Sequence, residues 1–211
     1  MTKNKKVKTD SQDFDDLFIQ RSGDSPIFTA LWFSNHGELD LHFHGYQTAS
    51  EVLLEYIFKI KGDNTMVYPL VFLIRHTIEL GLKESIIRYC KLNSTKPNAY
   101  EGIWKSHDLG FLSDKLEEES SKPNSPGVRA DPSWNSIKEF LKKWERADKD
   151  GSFGRYSRDT DGRPYQVKGN IYAGRVTEWG FKTINLLEGA ITMLGEYIDI
   201  QNTINSGINP Y

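Results

Sequence analysis

Arg75, Glu79 and Lys83 stand four residues apart in an otherwise apolar run from Val67 to Leu92, with His76 beside the first of them. Residues four apart share a helix face, so Arg75–Glu79 and Glu79–Lys83 can form a ladder of opposite charges. At about 100° per residue, with Arg75 at zero, these three and His76 fall between about 0° and 100°. Thr77, Gly81, Glu84 and Arg88 fall at about 180–240° and make a narrow polar face that fits solvent. Leu73, Leu80 and Ile87 fill one side between the two stripes, and Val71, Ile78, Leu82 and Tyr89 fill the other. A helix this apolar is expected to be central and buried, where a charged stripe is costly unless its members are paired. Two readings follow. In one, the ladder satisfies itself within the fold or against a partner subunit. In the other, it lines a cleft and meets an anionic ligand such as a phosphate. His107 likewise either closes the start of the next helix or moves protons near Arg75.

Other constellations are less directive. His42 and His44 alternate on an expected strand and would point to one face. They lack a nearby third metal ligand, so surface histidines are expected and no metal is. Arg155, Arg158 and Arg163, with Tyr156 and Tyr165, have the types needed to grip a phosphate and stack a base. Asp159 and Asp161 dilute that charge, and the alternative is a solvated arginine loop. No phosphate-binding glycine loop, nucleophile elbow or zinc-protease helix occurs. Cys90, the one cysteine, lies in an apolar helical stretch and reads as a buried thiol.

The elements that must carry these residues follow from periodicity. Residues 1–13 read as a basic, then acidic, tail. Residues 14–45 read as a segment containing a β-hairpin, with strands over Ile27–Phe33 and Leu39–His44 around Asn35-His36-Gly37. A helix from about Tyr46 to Lys61 shows Val52, Leu53, Tyr56, Ile57 and Ile60 in phase. The second starts near Val67, tolerates Pro69 in its first turn and ends near Leu92. Asn93–Gly102 reads as a loop. Ser106 is the expected N-cap of a third helix, with Asp108 in its first turn and Leu109, Leu112 and Leu116 as its stripe. Ser120–Pro132 reads as a loop. Trp134, Ile137, Leu141 and Trp144 mark a fourth helix, and Thr177 to Asn202 a fifth. Between them residues 150–176 lack helical period, with Asp161-Gly162 as a turn between short strands. Residues 205–211 read as a tail. The fold class expected is mainly α: an up-and-down bundle of about five helices with β-hairpin appendages.

Size and charge narrow the class. A chain of 211 residues suits one domain. Its net charge of −2 lacks the basic excess of a protein that coats duplex nucleic acid, so contact with nucleic acid would be local. No apolar run has the roughly 18–20 residues of a membrane span, and no hydrophobic signal segment follows the lysine-rich start. The expectation is a cytoplasmic protein.

The run Tyr68-Pro69-Leu70-Val71-Phe72-Leu73-Ile74-Arg75-His76-Thr77-Ile78-Glu79-Leu80-Gly81-Leu82-Lys83, followed by His107-Asp108-Leu109, resembles the HEPN superfamily. It is similar to bacterial members with a helix reading "YP-x-x-F-L-x-R-H-x-x-E-L-x-L-K" and then "H-D-L-x-x-L". Gly154-Arg155-Tyr156-Ser157-Arg158-Asp159, with Gly162, resembles their "RYP…D…G" element, with Ser157 where proline is common. The resemblance covers about residues 46–200, within a domain expected over 46–204. It implies a helical bundle that pairs into a homodimer, with no cofactor. Many such proteins are metal-independent ribonucleases of toxin–antitoxin and anti-phage systems that use an Arg-x4-6-His motif. Here Leu80, Gly81 and Leu82 stand where that histidine would follow Arg75. Two functions are therefore expected as alternatives. One is a noncatalytic module that binds a nucleotide, RNA, or an antitoxin or other defence-system protein. The other is a noncanonical ribonuclease with Arg75, His76 and His107 as catalytic residues. Glu79, Lys83, Arg155, Tyr156 and Arg158 are the candidate ligand contacts.

Overall fold

The computed structural model describes residues 39–60, 64–95, 101–123, 125–148, 151–152, 154–156, 158, 161–164 and 173–207. Six α-helices order these residues: α1 Leu39–Ile60, α2 Val67–Leu92, α3 Glu101–Lys105, α4 Leu109–Ser120, α5 Trp134–Ala147 and α6 Ala173–Asn205. Helix α2 is the axis of the fold. It packs against α1, α4 and α6, while α5 packs against α4 and α6. The chain is a mainly α bundle, and no named strand occurs among the described residues. None of the described helices is long and apolar enough to cross a membrane.

Periodicity explains why α2 is central. Every residue from Thr77 to Ile86 is buried, whichever way it points. Ile74, Ile78, Leu82 and Ile86 lie in the common core with Leu112, Leu116, Ile137, Leu141, Ile184 and Leu187. Two glycines set how closely the neighbours approach. A Cβ on Gly81 would lie 2.7 Å from the Phe43 ring of α1, and one on Gly180 of α6 would lie 2.4 Å from Ile74 Cγ2.

Several expectations are corrected. Leu39–His44 is not a strand but the first turns of α1. His42 and His44 therefore do not share one face, and His44 pairs with Asp40 at 3.3 Å. The other strand, Ile27–Phe33, lies outside the described residues. The face of Thr77, Gly81, Glu84 and Arg88 does not meet solvent, because α1 and α6 cover it. Thr77 and Glu84 are buried. Arg88 reaches Glu84 at 2.6 Å, Asp40 of α1 at 3.1 Å and the Ile191 carbonyl of α6 at 3.0 Å. The cap of α4 is Asp108, whose carboxylate accepts from Phe111 N at 2.8 Å; Ser106 Oγ accepts from Asp108 N one step earlier. Within Asn93–Gly102, residues 96–100 lie outside the description, and the short α3 begins at Glu101. The Asp161-Gly162 turn is present, with Gly162 at φ +77° and a lone antiparallel bridge from Arg158 to Pro164 in place of strands.

The close approach at Gly180 makes a direct test. Gly180→Val forces a branched side chain onto Ile74, which has no exposed surface along which to shift, and overpacking of this kind costs about 2 kcal/mol or more. Gly189→Ala, in the same helix with no described atom within 4 Å of the new Cβ, stabilises by about 0.5–1 kcal/mol. Thermal unfolding of the two variants should move in opposite directions; equal melting temperatures would contradict the packing described.

Candidate functional site

The charged row of α2 points inward. Arg75, Glu79 and Lys83 are only 3%, 4% and 5% exposed. Lys83 Nζ lies 2.7 Å from Glu79 Oε1, and Arg75 Nη1 lies 3.7 Å from Glu79 Oε2. The ladder thus forms, and two further elements complete it. From α5, Glu145 Oε2 lies 3.1 Å from Arg75 Nη2, and just past the helix Asp148 Oδ2 lies 3.4 Å from Arg75 Nε. Arg75 Nη2 also donates to the carbonyls of His107 at 3.0 Å and Asp148 at 3.2 Å. Lys83 donates to the Trp104 carbonyl at 3.4 Å. The row therefore ties the Trp104–Asp108 segment and the end of α5 to α2. Gly151 closes the end of the guanidinium: at φ +62°, a Cβ there would lie 2.7 Å from Arg75 Nη1.

The electrostatics follow from this crowding. Burial pushes the Glu79 carboxyl up, but the Lys83 hydrogen bond and charge, with His107, hold it below the usual range. Glu145 goes the other way. Burial raises it to about 7, against the Leu109 N–H at 2.9 Å and Arg75. Its second oxygen, Oε1, is buried with no hydrogen-bond partner among the described residues. Such an oxygen is less costly as a protonated acid than as a carboxylate.

The histidines divide. His107 is the exposed member: its side chain is 57% exposed, and Nδ1 lies 3.0 Å from Glu79 Oε1. His76 does not join Arg75. Its ring lies edge-on to Tyr46 at 4.5 Å and stacks on Phe72 at 5.7 Å, and burial lowers its pKa. A neutral imidazole between two aromatic rings is a packing group. Arg155 sits over the same Phe72 ring and over Tyr156, each at 5.6 Å, and its Nε donates to the Gly151 carbonyl at 3.0 Å. A Cβ on Gly154 would lie 2.9 Å from the Tyr68 carbonyl, so this loop lies flat on the first turns of α2. Arg158 instead closes its own turn by donating to the Gly162 carbonyl at 2.7 Å. Arg75, Glu79, Lys83 and His107 thus form one cluster, and His76, Arg155 and Tyr156 a second. Ser157, Asp159 and Tyr165 lie outside the described residues.

Sequence reasoning missed Glu145 and Asp148. Their signal was present: both continue the buried phase of Ile137 and Leu141 on α5, where an apolar residue would be ordinary. It also missed a cleft of about 490 Å³ where α5 meets α6, lined by Val71, Phe140, Trp144, Arg175, Val176 and Trp179 among others. Phe140 contacts both Trp144, with ring centroids 5.3 Å apart, and Trp179, at 6.2 Å. Lys143 stands at the rim, paired with Glu139, and Lys182 lies over the Trp179 ring at 4.6 Å. No group of three His, Cys, Asp or Glu side chains arranged to hold a metal occurs among the described residues. Cys90 is a buried free thiol, raised to about 11 by burial and the nearby Glu119. Comparison of this chain with family models, curated proteins and solved structures finds no match.

Glu145 gives the row a pH signature. An acid whose folded pKa stands above its unfolded value binds more protons when folded, so its contribution to stability weakens as pH rises between the two. Here that window runs from about 4.5 to about 7. Glu145→Gln keeps an oxygen to accept from Arg75 and Leu109 but cannot ionise. Relative to the parent, this variant should gain on the order of 1–3 kcal/mol in unfolding free energy as pH rises across that window. His76 titrates in both chains and cancels. A difference that stays constant with pH would remove the raised acid.

Proposed function

We propose that this chain is a noncatalytic module of HEPN type that binds RNA or a nucleotide in the cytoplasm, in a prokaryotic defence or toxin–antitoxin setting. The observation that carries this reading is the enclosure of Arg75 by acidic groups. Its guanidinium is surrounded by Glu79, Glu145, Asp148 and the carbonyl of His107. A phosphate entering there would have to displace the Glu79 and Asp148 carboxylates and the Glu145 acid, and would meet no excess of positive charge. The resemblance to HEPN proteins supports the family, and the absent histidine downstream of Arg75 supports a binding role over cleavage.

The ligand chemistry comes from the cleft between α5 and α6. Its volume of about 490 Å³ falls in the range of small-molecule sites, roughly 300–1,000 Å³. Phe140 and Trp179, both half-buried, offer ring surface for a planar base, and such stacking is worth about 1–3 kcal/mol per base. Lys143 and Arg175 at the rim suit a phosphate. A protein partner, the remaining option for such a module, would use helix surface and leave this cleft unchanged.

A second reading, a noncanonical metal-independent ribonuclease, keeps one specific support. His107 is exposed and held by the buried Glu79 carboxylate, an arrangement that orients an imidazole for proton transfer. Tryptophan fluorescence with adenosine monophosphate and with a short single-stranded RNA tests the first reading. Quenching that saturates, and that Trp179→Ala weakens about tenfold, is expected, since loss of one stacking partner costs roughly 1–3 kcal/mol. An unchanged signal at millimolar ligand would contradict it. Incubation of the same RNA with excess protein in chelator should leave it intact; cleavage abolished by His107→Ala would establish the second reading instead.

A further inference from the structure

The cleft between α5 and α6 has one acidic side chain among the described residues that line it, Glu139. Ser136, Glu139 and Lys143 stand three and four residues apart on α5, so they share one face. Phe140 lies beside them, and all four line the cleft. Phe140 lies 6.2 Å from Trp179 of α6, and Arg175 stands one turn, about 6 Å, nearer the start of that helix. The cleft thus combines half-buried rings with an exposed carboxylate, a hydroxyl and two cations. Glu139 is ionised at neutral pH: the hydrogen bond and charge of Lys143, 2.7 Å away, hold its carboxyl below the usual range. That contact is made through Oε1. A carboxylate accepts at about four lone-pair positions, so Glu139 can keep Lys143 and still take a pair of donors. Both side chains are about two-thirds exposed, and an exposed pair of this kind is held weakly, so it reorients at little cost.

We infer that the cleft selects guanine, with Glu139 accepting from the edge of the base. This deepens the binding role proposed above for the same cleft and rests on it. Of the four RNA bases, guanine alone presents two neighbouring donors on the edge away from its sugar, the ring N–H and the 2-amino group. A carboxylate accepts both at once, one on each oxygen, as it does from an arginine fork. Adenine and cytosine offer an amino group beside a ring nitrogen whose lone pair would face the carboxylate. Uracil offers one N–H between two carbonyls. Each sets an acceptor against an acceptor, and groups left unpaired in this way are how a site rejects a close analogue. Ser136, one turn from Glu139, can donate to the carbonyl oxygen that adjoins the ring N–H of guanine. Lys143 and Arg175 outnumber the one carboxylate and suit the phosphate. The rings and cations alone would take any nucleotide, because stacking tolerates every base. The carboxylate is what tells the bases apart.

Isothermal titration calorimetry of the full chain with the monophosphates of guanosine, adenosine, cytidine and uridine tests the selection. The guanosine nucleotide should bind about tenfold or more tightly than each of the others, the discrimination expected of a two-bond contact to a base. Glu139→Gln keeps the length of the side chain but puts an amino group where an acceptor stood. It should bring guanosine monophosphate down to the adenosine value and leave the adenosine value unchanged. The side chain is exposed, so the melting temperature should not move. Inosine monophosphate, which lacks the 2-amino group, should fall between the two. Equal affinity of the parent for the guanosine and adenosine nucleotides would overturn the selection and leave the nucleotide-binding role standing. No heat with any of the four at millimolar concentration would remove both. A guanosine preference that survives Glu139→Gln would overturn the assignment to this carboxylate. Short adenine strands with and without a single guanine identify the source of the base. Tighter binding of the guanine strand than of guanosine monophosphate marks RNA, and weaker binding marks the free nucleotide; equal binding of the two strands would overturn the selection.

Discussion

The interaction on which the bundle depends is the burial of the Arg75 guanidinium. A cation taken out of water loses several kcal/mol of hydration, and the fold can hold it only by bringing acceptors from every side. Those acceptors come from three places far apart in the chain: Glu79 on the same helix, the His107 carbonyl before α4, and Glu145 with Asp148 at the end of α5. Apolar packing between helices can slide by a fraction of a turn at small cost. An arginine with three carboxylates cannot, because each displaced oxygen would leave a buried charge unmatched. The row therefore sets the register of α4 and α5 on α2, and Gly151, at φ +62°, leaves the guanidinium room that any side chain there would take.

This constraint divides the molecule by chemistry. Polar groups that look most catalytic in type, Arg75, Glu79 and Lys83, are consumed in holding the fold together. Only His107 reaches water from that cluster. An aromatic-lined cleft lies elsewhere, between α5 and α6, with Phe140, Trp144 and Trp179 in its wall. The unequal acids express the same division: Lys83 and His107 keep Glu79 charged, while burial with one unmatched oxygen favours the proton on Glu145.

The sequence made α2 legible from Val67 to Leu92 because a long apolar run with one period admits a single interpretation. The helices over Trp134–Ala147 and Ala173–Asn205 were legible for the same reason, to within a turn at the last. Leu39–His44 was not. Leu-Asp-Leu-His-Phe-His alternates as a strand does, and six residues cannot distinguish the two periods; the helical phase continuing to Ile60 decides it. The polar face at Thr77, Glu84 and Arg88 misled for another reason. A polar stripe on a helix usually means water, but here α1 and α6 close over it and supply Asp40 and the Ile191 carbonyl. The ladder within α2 could be read from spacing. Its partners on α5 could not be assigned, because Glu145 lies 70 residues from Arg75 and only the fold brings them together.

Equilibrium unfolding of Arg75→Met most directly tests whether the row is a structural lock. Methionine fills a similar volume but leaves Glu79, Glu145 and Asp148 facing one another, and loss of one partner from a buried ion network costs about 3–5 kcal/mol. The account predicts a loss of that size at neutral pH, partly recovered when acid protonates the three carboxylates. A variant as stable as the parent at neutral pH would contradict it and would return Arg75 to the pool of residues free to act on a ligand.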